Sequence, residues 1–397
     1  MTETEASTNP LRSLGPTVYV PAAIYGIGTG AAAPVMTLRA LDLGSSVAFA
    51  GLTVALIGLG QVVGDLQAGQ VVARLGERRS VILASTIAAV GVLGCIAAPS
   101  VLWLYAGILL VGLANSVWGL ARQNYLSLAV PFEWRARAMS LFGGTMRLGF
   151  FVGPLLGAAV IWLIGVRGGF VVQLVAVVVA GVLMARLPDP PGSRAVAQPH
   201  SLSAVYRRHA RVLATLGSGS LLLGVARSSR EAVLPLWAHH LGADAGTASL
   251  IFGVGAALDV LCSYPAGHLM DRFGRTFVAI PSILVLALSY LLIPFTDSIL
   301  TFTAVAILMG VGNGFGNGVI MTLGADVAPE EGRAEFLAAW RLTHDAGFLL
   351  GPLSIASVVA FAPLSAAILT VSGLSATGAG LLARYVPKYT VGQRTET

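Results

Sequence analysis

Ionisable side chains inside long apolar stretches are the residues of this chain whose chemistry is most informative. At the centre of a membrane helix such a group costs about 2.5–3.5 kcal/mol on insertion scales, so it needs a wet cavity, a partner of opposite charge or a chemical task. Eleven stand out: Asp65, Arg122, Arg147, Arg227, Arg230, Glu231, Asp259, Asp326, Arg341, His344 and Asp345. Carboxyl groups and the imidazole could exchange protons, whereas the arginines could hold an anionic group.

The composition indicates that the apolar stretches cross a membrane. Of 397 residues, 56% are hydrophobic and 11% are charged, whereas soluble domains have about 45–50% apolar and about 25% charged residues. The 48 glycines and 19 prolines lie within apolar runs, where membrane helices tolerate them. The sequence therefore predicts an all-α polytopic membrane protein.

Twelve segments satisfy the requirement of about 20 mostly apolar residues for a spanning helix. They cover residues 17–38, 47–72, 80–98, 101–127, 138–164, 168–187, 213–238, 246–270, 277–296, 299–326, 334–361 and 364–386. The longest polar stretch follows the sixth segment and contains Asp189-Pro190-Pro191-Gly192, which is typical of a linker. The predicted parts are an N-terminal tail, a six-helix bundle, a linker, a second six-helix bundle and a C-terminal tail, at 1–16, 17–187, 188–212, 213–386 and 387–397.

The positive charges predict the orientation. Seventeen lysines and arginines lie in the tails and in the breaks after even-numbered segments, against Arg39 and Arg167 in the other breaks. The positive-inside rule then places both termini in the cytoplasm of a cell-membrane protein. The same distribution argues against a nucleic-acid partner despite the net charge of +6. The first fifteen residues include acidic side chains and no small-residue cleavage site follows, so we expect no cleaved signal peptide.

The chain repeats itself at an offset of 198 residues. Gly76 falls on Gly274, Asn115 falls on Asn313, and Gly153-Pro154 falls on Gly351-Pro352. An even number of helices precedes the second copy, so both copies have the same orientation. We therefore expect an axis along the membrane normal and a binding site between the copies near the midplane.

The loop after the second segment of each copy resembles a signature of the major facilitator superfamily, of the form G-x-x-x-D-R-x-G-R-R/K, and the resemblance covers the whole chain. The second copy matches closely, whereas the first has Ala73 at the acid and Glu77 at an arginine. The signature residues, with one acid at the inner end of helix 10, are Gly69, Arg74, Gly76, Arg78, Gly267, Asp271, Arg272, Gly274, Arg275 and Asp326. Glycines permit close helix approach and a tight turn, and the charges could form ion pairs at the cytoplasmic rim. Leu128 stands where Asp326 falls in the first copy, so we hypothesise a closure lock based on the second half; charges in a solvated loop are the alternative.

Helix 5 resembles the G-x-x-x-G-P-x-x-G-G motif of the superfamily's proton-coupled exporters, and helix 11 repeats part of it. Small residues and proline at this spacing favour a closely packed hinge. A purely structural role is the alternative, since both halves carry the motif. The residues concerned are Arg147, Gly149, Gly153, Pro154, Gly157, Gly347, Gly351 and Pro352.

The resemblance also implies roles for the charges. Helices 1, 4, 7 and 10 of the family line the central cavity, so the cavity candidates are Arg122, Arg227, Arg230, Asn115, Trp118, Asn313 and Asn317. Carboxyl groups removed from water can exchange protons near neutral pH, and the proton-coupling candidates are Glu231, Asp259, Asp345, His344 and Asp65. Local ion pairing is the alternative for Arg227 with Glu231 and for Arg341 with Asp345, which are four residues apart.

These features predict a secondary active transporter that exports a small organic molecule, drug-like or a metabolite, by proton antiport with alternating access. Uptake of a metabolite, possibly anionic, is the alternative, and a non-transporting membrane sensor is the alternative of another class. The resemblance to the proton-coupled exporters implies protons as the coupling ion. We expect no cofactor and no direct use of ATP, because no nucleotide-binding loop and no metal cluster is evident. We expect no enzymatic activity and no obligate protein partner, so that a monomer acts in the lipid bilayer on a small-molecule substrate.

Overall fold

The computed structural model describes residues 14–186, 202–330 and 333–390. Helices dominate these residues and none of them lies in a strand. The twelve long helices are α1 Gly15–Asp42, α2 Val47–Leu75, α3 Glu77–Ala97, α4 Val101–Ala129, α5 Phe132–Ile164, α6 Gly168–Ala185, α7 Ala210–His240, α8 Ala245–Phe273, α9 Arg275–Leu292, α10 Ile299–Val327, α11 Arg333–Val359 and α12 Leu364–Thr390. The predicted twelve-helix fold is confirmed, with helix ends a few residues from the predicted ones.

Eleven of these helices are long and apolar enough to span a membrane, judged over the described residues. The remaining one, α7, has 31 residues and is long enough, but Arg227, Arg230 and Glu231 lie in its middle. Three charged side chains lower its apolar character, and charges at such a depth are kept for function or for pairing. Helix α7 is therefore the span on which the ionisable groups are concentrated.

The helices group into two compact units. The first unit comprises Met1–Ala32 and Leu59–Ala197, and the second comprises Ala33–Gly58 and Gln198–Thr397. The predicted bundles and these units both divide the chain between α6 and α7, while the units also divide α1 and α2. Part of the predicted linker is a short helix, Leu202–Arg208, and residues 187–201 of it lie outside the described residues.

Each unit has its own core of packed helices. In the first unit α3 packs against α4 and α6, and an apolar cluster around Tyr25, Trp118 and Phe142 fills the space between α1, α4 and α5. In the second unit α7 packs against α11 and α12, while α10 packs against α8 and α9. These cores hold the polar side chains of the membrane helices at fixed positions.

The sequence repeat is visible in the backbone at four turn glycines. Gly44 and Gly242 have φ of +80° and +79°, and Gly76 and Gly274 have φ of +79° and +87°. A side chain with a Cβ is strained in this left-handed region, whereas glycine adopts it readily. The tight turns predicted from glycines 76 and 274 are therefore present at equivalent places in both units.

Helix α10 differs from the continuous segment that we predicted. Its regular part ends at Phe315, and the helix resumes at Val319 after Gly318, whose φ is +84°. The equivalent part of α4 is an unbroken helix, with Trp118-Gly119-Leu120 where α10 has Gly316-Asn317-Gly318. Gly318 permits the left-handed conformation that Leu120 disfavours, which accounts for a break in one unit only.

Candidate functional site

A polar network joins α7, α8 and α10 in the second unit. The Arg227 guanidinium donates from Nε to Asn313 Oδ1 at 3.0 Å and from Nη2 to Asn317 Oδ1. The two amides in turn donate to Asp259, from Asn313 Nδ2 to Oδ2 at 2.5 Å and from Asn317 Nδ2 to Oδ1 at 2.5 Å. The predicted residues Arg227, Asp259, Asn313 and Asn317 thus lie in one network.

The direction of every bond in this network follows from the chemistry of its two ends. Arginine can only donate and an ionised carboxylate can only accept. Each asparagine must therefore turn its oxygen to Arg227 and its amide nitrogen to Asp259. Because the amides mediate between opposite charges, the protonation state of Asp259 affects how Arg227 is held.

The break in α10 contributes directly to the network. Asn317 lies in the interruption between Phe315 and Val319, and its Nδ2 also donates to Ser263 Oγ at 2.6 Å. A neighbouring thiol marks the close approach of α8 to α10, because a Cβ at Gly314 would lie 2.8 Å from the Cβ of Cys262. Non-helical backbone at membrane depth is tolerated where it is buried in protein or lines a cavity.

A second arginine borders Asp259. Arg230 is buried, and its Nη2 lies 3.7 Å from Asp259 Oδ2 while its guanidinium carbon lies 5.5 Å from the centre of the Phe252 ring. Its Nε and Nη1 have no hydrogen-bond partner among the described residues. Glu231, half-buried on the next position of α7, interacts electrostatically with both Arg230 and Arg227. Four of the predicted charged residues therefore lie in one cluster.

The two candidates on α11 have different surroundings. His344 is buried, and its Nδ1 lies 2.9 Å from the Ser220 carbonyl oxygen of α7. Asp345 Oδ2 lies 3.4 Å from Nε of Arg341, an exposed residue one helical turn earlier on α11. The local ion pair considered as the alternative for Arg341 and Asp345 is therefore present.

The first unit places a different set of groups at the corresponding positions. Tyr25 donates its hydroxyl to Asn115 Oδ1 at 2.5 Å and stacks on Trp118 with ring centres 4.0 Å apart. Asp65 accepts a hydrogen bond from Ser116. Asn115 and Asn313 are thus equivalent in the repeat, and each accepts a hydrogen bond from the first helix of its repeat. The donor is the phenol of Tyr25 for Asn115 and the guanidinium of Arg227 for Asn313.

Arg122 is the predicted cavity residue with the most unexpected surroundings. It is completely buried inside the first unit, where Nη1 lies 2.7 Å from Met184 Sδ. Its guanidinium carbon lies 5.7 Å from the centre of the Trp118 ring and 5.5 Å from that of Tyr125. The residue is held among α4 and α6 side chains.

The signature loop forms an ion pair in the second unit. Arg275 Nε donates to Asp326 Oδ2 at 2.8 Å, while Nη1 lies 4.0 Å from Asp271, whose side chain is 80% exposed. Arg272 lies over the Phe273 ring instead. In the first unit Arg74 and Arg78 are exposed, whereas Glu77 is buried and accepts from Asn124 at 2.5 Å. Sequence reasoning noted Glu77 only as a departure from the signature, and missed that it is buried.

The two signature glycines within the helices do not mediate the close approach that we expected. No described atom of the same unit lies within 4 Å of a Cβ built at Gly69 or Gly267. Close packing is found instead at the helix 5 and helix 11 motif, where a Cβ at Gly149 or Gly153 would collide with the α1 backbone, and one at Gly347 or Gly351 with α7. The motif therefore has a packing role within each unit.

The other members of that motif are less constrained. Gly157 makes an ordinary contact with Ala31, and Arg147 is exposed. The helices continue through Pro154 and Pro352. Packing thus fixes the first two glycines of the motif more tightly than its remaining residues.

An open pocket of about 370 Å³ lies in the second unit, where α7 and α11 end and α12 begins. His239, His240 and Trp237 line it, together with mainly apolar residues that include Pro363 and Leu364. No group of three His, Cys, Asp or Glu side chains in the described ranges could hold a metal ion.

Comparison with known proteins gives the family. The model of the Major Facilitator Superfamily matches residues 19–230 and 216–396. The uncharacterized MFS-type transporter YdeG of Bacillus subtilis is 26% identical over 317 residues, which cover 73% of each chain. The uncharacterized MFS-type transporter YddS of the same organism is 28% identical over 315 residues, covering 73% of this chain and 72% of that one.

Solved structures show the same fold. The nucleoside transporter NupG has a TM-score of 0.77 at 15% identity, over 95% of this chain and all of the other. A D-xylose-proton symporter has a TM-score of 0.73 at 16% identity, over 94% of this chain and 98% of the other. At these identities the likeness concerns the fold alone. Together with the family match over nearly the whole described chain, it identifies the protein as a membrane transporter, and not an enzyme, that belongs to the major facilitator superfamily.

Proposed function

We propose that this transporter exports a small organic molecule in exchange for protons, by alternating access. It acts as a monomer in the cell membrane with both termini in the cytoplasm. The drug-exporter branch is the model for this direction, because the glycine–proline motif of helix 5 resembles that branch. Protons are the coupling ion and no cofactor takes part.

The network around Asp259 is the observation that carries the proposal. Asp259 accepts from two amides that both hold Arg227, so ionised Asp259 fixes two side chains of α10 and one of α7. Protonation removes the negative charge and turns one carboxyl oxygen into a donor. The hydroxyl oxygen is a poorer acceptor for the amide that donated to it, so this hydrogen bond weakens, and Arg227 and Arg230 lose the negative charge of Asp259. A proton and a substrate that uses these groups therefore influence each other's binding.

A second candidate function is the uptake of an anionic metabolite. Two nitrogens of buried Arg230 lack a hydrogen-bond partner, and Arg227 lies one helical turn away on the same helix. Arginine recognises carboxylate and phosphate groups with paired donors. A substrate with such a group would satisfy the free nitrogens, which favours this alternative over a neutral substrate.

The direction and the coupling can be tested in liposomes. Purified protein is reconstituted with an internal pH dye, and cationic, neutral and anionic organic compounds are added in turn under an imposed pH gradient. Export by antiport predicts proton movement opposite to the compound and dependent on one charge class. Co-directional movement with anionic compounds would support uptake instead, and no movement with folded protein would support the sensor.

The variant Asp259→Asn tests the role of the network. It keeps the size of the side chain but cannot bind a proton, so we expect the compound-dependent proton movement to be lost. Asp297→Asn is the matched control, because Asp297 is exposed between α9 and α10. Equal coupling in the wild-type protein and in Asp259→Asn would refute the assignment.

A further inference from the structure

The buried guanidinium of Arg122 lacks a counter-charge in direct contact. The residue has no exposed surface, and its Nε and Nη2 have no hydrogen-bond partner among the described residues. The Met184 sulfur and the rings of Trp118 and Tyr125 contact it, but none of them carries a negative charge. A buried ion without a partner is strongly unfavourable.

A buried carboxylate with the same deficit lies on the neighbouring helix. Glu77, the first residue of α3, is 1% exposed. Its Oε1 accepts from Asn124, while its Oε2 has no partner within the described ranges. Glu77 and Arg122 line the same cavity of about 10 Å³, which has room for one water molecule.

We propose that Glu77 and Arg122 form a buried ion pair across this cavity, bridged by a water molecule. Each group offers the other the charge that it lacks, and the water can accept from Arg122 and donate to Glu77 Oε2. Arg78 also lines the cavity, but its side chain is exposed and can be hydrated from outside. Arg122 is thereby the positioning partner of the first turn of α3.

The sequence repeat supports this pairing independently. Glu77 occupies the position of Arg275 in the second unit, where Arg275 binds Asp326 of α10. In the first unit the acid, Glu77, begins α3 and the arginine, Arg122, lies on α4. In the second unit the arginine begins α9 and the acid lies on α10, so the equivalent helices carry the opposite charges. Arg122 lies six residues before Leu128, the equivalent of Asp326, which is about 9 Å along the helix. This difference in depth agrees with the burial of Glu77 and Arg122, whereas the side chains of Arg275 and Asp326 are 29% and 26% exposed.

The pair would hold three helices at one end of the first unit. Glu77 directly follows Gly76, the turn glycine with φ of +79°, and Arg122 reaches Met184 of α6. The α2–α3 turn, with its exposed Arg74 and Arg78, is therefore positioned by a charge interaction in the interior. The first unit then has a charge pair of its own, of opposite polarity to the pair of Arg275 and Asp326, while the closure lock based on the second half stays a hypothesis.

A double-mutant cycle with a local probe tests the pair. Ser80→Cys introduces a thiol at a buried position of the first turn of α3, in a Cys262→Ser background in which Cys95 is buried. The rate of maleimide labelling of full-length protein in detergent then reports opening of that turn. We expect Glu77→Gln and Arg122→Met each to raise the rate about tenfold or more, and the double variant to raise it no further than either.

Two further variants separate pairing from general loss of structure. Arg79→Gln removes an exposed charge from the same turn and should leave the rate unchanged. The reversed pair, Glu77→Arg with Arg122→Glu, should label more slowly than Glu77→Arg alone. The proposal would be overturned if the double variant raised the labelling rate by the product of the two single effects. It would also be overturned if the reversed pair labelled as fast as Glu77→Arg alone.

Discussion

Gly318 of α10 and Leu120 of α4 are equivalent in the repeat, but only Gly318 interrupts its helix. The interruption places Asn317 between Arg227 and Asp259. The position equivalent to Asn317 in α4 is Gly119, which has no side chain to offer such a bond. The two units thus share a helical framework, and the second adds a polar relay at a backbone break.

The substitution Gly318→Ala should destabilise the protein and weaken the relay. A Cβ at Gly318 would have open space, with Met270 Cε at 3.9 Å as its nearest neighbour, so the cost arises from φ of +84° and is about 1–2 kcal/mol. Thermal unfolding in detergent measures it. Gly119→Ala is the matched control, because Gly119 is helical and has nothing within 4 Å of its Cβ position; equal melting temperatures for the two variants would contradict the argument.

The substitution Glu231→Gln should abolish proton-driven transport without reducing expression. Glu231 interacts with the charges of Arg227 and Arg230, and the amide preserves its shape but cannot take up a proton. Proton movement in the liposome assay measures the effect. Glu330→Gln, at an exposed position, serves as the control, and unchanged pH dependence in Glu231→Gln would remove this residue from the coupling role.

Loss of Asp326 should affect the signature loop more than loss of Asp271. Arg275 Nε lies 2.8 Å from Asp326 but Nη1 lies 4.0 Å from the exposed Asp271. Exposed ion pairs contribute about 0–1 kcal/mol, so the longer contact should contribute least. The labelling rate of thiols whose accessibility differs between the transporter's conformations should change more in Asp326→Asn than in Asp271→Asn. A larger change in Asp271→Asn would show that the exposed Asp271 controls the loop.

The substitution Gly149→Ala should disturb the packing of α5 against α1. The added methyl group would collide with the Ala23 carbonyl oxygen and approach Ile27 N to 2.9 Å. Membrane helices pack through such close backbone contacts, so we expect lower thermal stability and a lower yield of folded protein. Gly143→Ala on the same helix has no neighbour within 4 Å and should behave as wild type.

The helices and turns could be predicted because they depend on local sequence. Apolar length predicted the twelve long helices, of which all but the charged α7 are apolar enough to span a membrane. The left-handed turns at Gly76 and Gly274 were predicted from glycines after the helix ends. The break in α10 could not be found by apolar length, because Gly316-Asn317-Gly318 interrupts a span without making it polar. A comparison of the two copies could have indicated it, since Gly318 replaces Leu120.

The partners of the candidate residues depend on which helix faces meet, which a single sequence does not specify. Asn313, Asn317, Arg227 and Asp259 were selected one by one as polar residues at membrane depth, but their common network required the packing of α7, α8 and α10. Glu77 was noted only as an irregular signature residue. Its burial depends on contacts with α4, such as the hydrogen bond from Asn124, a residue 47 positions further along the chain.

Cys262, one turn after Asp259 and packed against α10 at Gly314, gives this transporter a native spectroscopic handle. It is partly accessible while the other cysteine, Cys95, is buried. A fluorophore or spin label attached to the wild-type chain would therefore be attached at one site, three residues from the proposed coupling carboxylate. Its emission or mobility could report substrate and proton binding in real time, without an engineered cysteine.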